Sequence, residues 1–150
     1  MKNKIFNENN IKTMSKMPDN YLDGIITSPP YNIATKRKDN YYNNGYSEID
    51  NLSDEEYFDL RISEFKEFTR VVKDDGVILY KATFSTDLVE QLIDIYFEPK
   101  SIIYDPFMGI GTTAKGCISK DCVFVGSELF KEIFDESKIN IKKYFNENNL

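Results

Sequence analysis

A chain of 150 residues with 25 acidic and 19 basic side chains, net charge −6, has room for one domain with a real core and little else. No apolar run is long enough to cross a bilayer, Met1-Lys2-Asn3-Lys4 opens no signal-peptide stretch, and the acidic balance excludes a broad basic footprint for nucleic acid. Two cysteines, Cys117 and Cys122, without a single histidine make no metal site; they read as buried free thiols in a reducing cytoplasm.

In chain order, Lys4-Ile5-Phe6 reads as a short strand and Asn7 to Asn10 as a turn. Ile11, Met14 and Met17 form one face of a short helix stopped by Pro18-Asp19-Asn20. Leu22 to Thr27 is a buried strand. From Ser28 to Leu52 no periodicity holds, and a loop of that length inside a compact domain is usually functional or disordered. Ser53-Asp54-Glu55-Glu56 is a capping box, followed by a helical stripe of Phe58, Ile62, Phe65, Phe68 and Val72 that is expected to face the core. Asp74-Asp75-Gly76 is expected to end that helix, with Val77 to Tyr80 as the next strand. Ser85 or Thr86 caps a helix that turns Leu88, Val89, Leu92, Ile93 and Tyr96 inward. Ser101 to Tyr104 is a strand, Thr112 to Ser119 a helix, Val123 to Gly126 a strand, and Phe130 to Phe145 a closing amphipathic helix. Strands alternating with helices predict an α/β fold, a doubly wound and mostly parallel sheet in a single domain over residues 1–150.

Two stretches carry chemistry. Asp105-Pro106-Phe107-Met108-Gly109-Ile110-Gly111-Thr112-Thr113 places two glycines at a strand-to-helix turn, where the backbone can approach a ligand and the helix N-terminus offers N–H groups to an anion. The hydroxyls of Thr112 and Thr113 would add donors. Glu128 ends the next strand, 17 residues after Gly111, a placement that suits a ribose diol; the alternative is a tight structural turn with a surface glutamate. The other stretch is Ile26-Thr27-Ser28-Pro29-Pro30-Tyr31, at the end of a buried strand. A serine oxygen and a rigid proline carbonyl are acceptors for an amine's N–H groups, and the tyrosine is a ring on which a flat base can stack. Lys36-Arg37-Lys38 follows closely, either a solvated loop or a phosphate contact.

Together the two stretches resemble the amino-methyltransferases of DNA, which move a methyl group from S-adenosylmethionine to the exocyclic nitrogen of adenine or cytosine. Ser-Pro-Pro-Tyr matches the family's catalytic loop and Phe-x-Gly-x-Gly its cofactor loop, in the permuted order of the beta class. The resemblance implies a Rossmann-like methyltransferase sheet with the Ile5 strand at one edge, then the Val123, Ser101, Leu22 and Val77 strands. It implies catalytic roles for Ser28, Pro29, Pro30 and Tyr31, and cofactor contacts for Asp105, Phe107, Gly109, Gly111, Thr112, Thr113 and Glu128. It adds Thr83 and Phe84, in the segment that closes over the cofactor, and Asn9, where relatives often place an acid near the adenine. DNA is the implied partner, with Lys36, Arg37 and Lys38 as phosphate contacts, in a setting of DNA methylation and restriction–modification.

Serine before the prolines resembles the N4-cytosine enzymes, with N6-adenine the alternative. C5 chemistry is disfavoured, because neither cysteine follows a proline as that family's nucleophile does. Only Lys81 to Lys100 separate the Val77 and Ser101 strands, so the family's target-recognition region is expected to be absent between Tyr80 and Lys81. Three readings are consistent with that gap: a reduced enzyme, an inactive cofactor-binding remnant, and a subunit whose recognition comes from a partner or a second copy. A methyltransferase acting on RNA is a further alternative.

Overall fold

The computed structural model describes residues 2–32, 52–81 and 84–147. Five strands run in chain order as β1 (Lys4–Phe6), β2 (Leu22–Thr27), β3 (Val72–Tyr80), β4 (Ile102–Asp105) and β5 (Val123–Ser127). The helices are α1 (Asn10–Met14), α2 (Asp54–Val71), α3 (Thr86–Tyr96), α4 (Thr112–Ser119) and α5 (Lys131–Glu147). All strand pairs are parallel, and the order across the sheet is β1-β5-β4-β2-β3, the arrangement expected from the sequence.

Alternation along the strands splits the core into two layers. Ile25, Tyr104 and Val125 point to one face, where Met14, Met17, Phe68 and Val71 of the α1–α2 side cover them. Ile26, Ile103 and Phe124 point to the other, under Val89, Ile93, Ala114 and Cys117 of α3 and α4. Strands buried on both faces need near-continuous apolar sequence, which is why Leu22 to Thr27 and Val123 to Ser127 show no polar alternation. Gly24 is the exception in β2, and it makes room for the Phe97 ring, which lies where a Cβ would be.

Three expectations change. The α2 helix ends at Val71, and Val72 opens β3 directly. Asp74-Asp75-Gly76 therefore does not stop a helix: Leu22 pairs with Val72 and Gly24 with Val77, so three extra residues of β3 bulge out of the ladder. Lys73 reaches from that bulge to Asp23 at 2.7 Å. Second, α2 buries Arg61, Glu64, Phe68 and Val71, while Phe58, Ile62 and Phe65 of the expected stripe are exposed. The core face lies further round the helix than the apolar pattern suggests, and Arg61 and Glu64 can enter it because they pair with each other at 3.1 Å. Third, Tyr96 of α3 is exposed, since the chain leaves the helix there and Phe97 takes the inward position.

Candidate active site

Both motifs lie at the C-terminal end of the sheet, and one buried carboxylate ties them together. Asp105 ends β4. Its Oδ1 accepts from the Thr27 hydroxyl at 2.8 Å and from the Phe107 N–H at 3.1 Å; its Oδ2 accepts from the Thr113 hydroxyl at 2.7 Å. The last residue of β2, the glycine turn and the first turn of α4 therefore share one acceptor. Burial pushes the Asp105 carboxyl above its usual range, against the pull of the bonds from Thr113, Thr27 and Phe107.

On the β2 side, Ser28 and Tyr31 join hydroxyl to hydroxyl at 2.7 Å, Pro29 is buried, and Tyr31 remains partly exposed. Two clamps fix the loop. Tyr57 of α2 donates to the Pro30 carbonyl at 3.1 Å. Asn32, with φ of 56°, exchanges two 2.8 Å bonds with the backbone of Leu52. Neither clamp was read from the sequence; a tyrosine four residues after a helix cap carries no signal of its own.

On the β4 side, Gly109 (φ 53°) and Gly111 (φ 92°) take the left-handed conformation that shapes the turn. Nothing lies within 4 Å of where a Cβ of Gly109 would be. Gly111 begins α4, and no side chain caps the helix there. Glu128, only 5% exposed, closes the site: one oxygen accepts from the Gly109 N–H at 3.0 Å, the other from the Phe130 N–H at 3.0 Å. Burial raises its pKa, and the bonds from Phe130 and Gly109 oppose the rise. Glu128 is thus a buried group tied to the turn and not a surface glutamate. Behind it Met108 packs on Gly126, leaving no space for a side chain at that position.

The structure distributes the other candidates unevenly. Thr112 is half-buried beside Gly111, but Thr113 turns its hydroxyl inward to Asp105. Asn9 is exposed and caps α1, its Oδ1 accepting from the Ile11 N–H at 2.9 Å. Phe84 packs against the α3–α4 core layer. Thr83, Lys36, Arg37 and Lys38 lie outside the described residues.

One further group was not anticipated. The Arg61 guanidinium sits 5.2 Å from the ring centres of both Tyr57 and Phe107, between the clamp on the Ser-Pro-Pro-Tyr loop and the glycine turn. Its Nη2 donates to Glu64, which also accepts from Asn10 at 2.9 Å. Burial raises the Glu64 pKa over the opposing effects of Asn10 and Arg61. Among the described residues, Nε and Nη1 of Arg61 and Oε2 of Glu64 are buried without a hydrogen-bond partner.

The comparisons agree with this geometry. The N6/N4 family of DNA methylases matches residues 79–139. The orphan methyltransferase M.BamHII of Bacillus amyloliquefaciens is 35% identical over 65 residues, 43% of this chain and 24% of that protein. The type II methyltransferase M.BglII of Bacillus subtilis is 33% identical over 57 residues, 38% of this chain and 16% of that protein. The matched stretch thus spans a quarter or less of these relatives' length. Among solved structures, a DNA modification methylase of Thermus thermophilus, complexed with S-adenosyl-L-methionine, superposes with a TM-score of 0.73 at 13% identity, covering 93% of this chain and 95% of that one. The cytosine-N4-specific PvuII DNA methyltransferase gives 0.72 at 14% identity, covering 97% and 92%. At such identities these two matches speak for the fold.

Proposed function

We propose that the chain is the catalytic and cofactor-binding domain of an S-adenosylmethionine-dependent DNA amino-methyltransferase, a reading supported by its similarity to the N6/N4 DNA methylases. The observation that carries this reading is the Asp105 knot. It holds the Ser-Pro-Pro-Tyr loop and the glycine turn side by side, although Thr27 and Asp105 are 78 residues apart.

The cofactor fits the residues present. The open, side-chain-free turn at Gly109 and the uncapped start of α4, with Thr112 beside it, suit a carboxylate. Glu128 uses one acceptor site on each oxygen in the fold and keeps others for a ribose diol. Phe107, Phe84, Thr83 and Asn9 would complete the walls and the purine end; Asp105 and Thr113 hold the turn's shape from beneath. When bound, S-adenosylmethionine supplies an electrophilic methyl group.

The chain's own task is to position the amine. An exocyclic amine is a weak nucleophile because its lone pair is spread into the ring. Ser28 Oγ and the Pro29 carbonyl accept its N–H bonds and favour the tetrahedral nitrogen that attacks. Ser28 gives up its bond to Tyr31 as the base enters, which frees the Tyr31 ring for stacking. The Tyr57 and Asn32 clamps keep the loop in place, so rate comes from positioning and electrostatics. Cytosine N4 is the favoured target, because serine precedes the prolines; adenine N6 is the alternative.

With net charge −6 and no recognition segment between Tyr80 and Lys81, the chain alone should work slowly and with little sequence preference. Transfer of labelled methyl from S-adenosylmethionine to single-stranded DNA, duplex DNA and RNA tests this. Single-stranded DNA should react best, since its bases need not be pulled from a stack. Brisk site-specific methylation of duplex would overturn the missing-segment reading. Cofactor binding without transfer would favour the remnant, and preference for RNA the other substrate class.

A further inference from the structure

Tyr57, Arg61, Glu64, Phe68 and Val71 follow one another on α2 at spacings of four, three, four and three, so they share one face of the helix. Phe68 and Val71 carry that face into the core, fully buried. Arg61 and Glu64 put an ion pair into it, 8% and 2% exposed. Such a pair offsets the loss of water only when both partners fill their hydrogen-bonding sites. This one does not. A single bond of 3.1 Å joins Arg61 Nη2 to Glu64 Oε1, and the Asn10 amide donates to the same oxygen. Among the described residues Nε, Nη1 and Oε2 bond to nothing. Tyr80 lies close enough for Arg61 to oppose the rise that burial gives its pKa, yet no hydrogen bond joins them. As a stabiliser the pair is no better than two well-packed apolar side chains.

The place of the guanidinium has a different logic. It reaches one ring from each of the two stretches, 5.2 Å from the centre of Tyr57 and 5.2 Å from that of Phe107. Tyr57 donates to the Pro30 carbonyl at 3.1 Å, and Phe107 opens the glycine turn with its N–H on Asp105. A guanidinium is flat, permanently charged and attracted to aromatic rings. A pair made for strength joins by two parallel bonds; the single bond to Glu64 is what a guanidinium placed for the rings would show. We propose that Arg61 is a positioning residue for methyl transfer. It sets Tyr57 and Phe107 against each other, and through them the Pro30 carbonyl against the glycine turn, while Glu64 anchors it from α2 and reaches Asn10 at the start of α1. The inference rests on the function proposed above. Asp105 fixes where β2 and β4 end, and Arg61 fixes the rings beyond those ends. Transfer needs the held amine and the methyl group in line, so a small relative shift lowers rate far more than affinity.

Methyl transfer to single-stranded DNA, calorimetric affinity for S-adenosylmethionine and urea unfolding, all on the full chain, test it. Arg61→Lys keeps a charge beside Glu64 and loses the flat group between the rings. It should lower kcat about ten-fold, with cofactor affinity and the KM for DNA within about two-fold of the parent. Arg61→Met combined with Glu64→Gln removes both charges and keeps an acceptor for Asn10. That variant should unfold at the parent's urea concentration or higher, yet lose kcat about ten-fold or more. Tyr57→Phe should lower transfer in the parent and add little in the Arg61→Lys background, because Arg61 acts through that ring. An Arg61→Lys chain as fast as the parent, a double variant whose stability and transfer fall together, or independent losses from Tyr57→Phe and Arg61→Lys would overturn the proposal. A parent that binds cofactor and transfers no methyl would overturn it and leave the cofactor site standing. A parent that binds no cofactor would take the proposed function with it.

Discussion

The two sides of the sheet differ in how completely they satisfy themselves. On the β1–β5–β4 side the buried polar groups are tied together: Asp105 accepts three bonds, Glu128 two, and Tyr104 and Ser127 join at 2.6 Å. The edge strand there, β1, is three residues long. On the β3 side the edge strand spans nine residues, the flanking helix exposes Phe58, Ile62 and Phe65, and Arg61 and Glu64 keep buried polar atoms without partners. The difference teaches that polar groups buried at the Asp105 and Glu128 side are tied by the fold itself, whereas the β3 side leaves apolar and polar groups less completely satisfied among the described residues.

The contrast can be broken first within α2. Phe68→Ala removes a fully buried ring and should cost about 3–5 kcal/mol in urea unfolding. Phe58→Ala, on the same helix, should stay within about 0.5 kcal/mol. Equal costs would mean that the exposed face of α2 belongs to the core. Next, Asp105→Ala leaves two hydroxyls and an N–H without their acceptor, and a loss of about 2–4 kcal/mol is expected. A loss under about 1 kcal/mol would show that the two motifs are held together by something else.

Smaller effects sharpen the picture. Tyr57→Phe deletes one bond to the Pro30 carbonyl and should cost about 0.5–1.5 kcal/mol, with methyl transfer falling more than cofactor affinity. Ser28→Ala should likewise lower transfer while leaving affinity nearly unchanged. The least of these effects is in pH. Asp105, Glu64 and Glu128 all hold protons more tightly folded than unfolded. Between the two sets of pKa values the folded chain binds more protons. Stability from these groups is therefore greatest below the ordinary carboxylate range and is lost as pH rises through the folded values. Glu8 and Glu56, lowered by bonds to Lys16 and Ser53, act in the opposite sense from the surface. Replacing Glu128 by Gln should flatten the decline; a steeper decline would reverse the assignment.

What could be read from the sequence was local. The order strand, Gly-x-Gly, helix is visible in the chain itself, and β2 and β5 are mostly apolar apart from Asp23, Gly24 and Thr27 in the one and Gly126 and Ser127 in the other. What could not be read was relational. Asp74-Asp75-Gly76 has the composition of a turn, and only the pairing of β3 with β2 makes it a bulge. The stripe of Phe58, Ile62 and Phe65 has the periodicity of a core face, and nothing in it says which way α2 is rotated. Arg61 and Glu64 read as surface charges until their mutual pairing and the rings of Tyr57 and Phe107 are in place. The bond from the Thr113 hydroxyl to Asp105 is likewise a pairing in space that the sequence pattern does not show.

The account stands or falls on the Asp105 and Glu128 side, and calorimetric titration of the purified chain with S-adenosylmethionine tests it most directly. Saturable binding of one cofactor per chain is expected, and Glu128→Ala should weaken it about 10- to 100-fold, as for a lost hydrogen bond to a charged group worth about 1.5–3 kcal/mol. A folded chain that gives no binding heat, or a variant that binds as tightly as the parent, would contradict it.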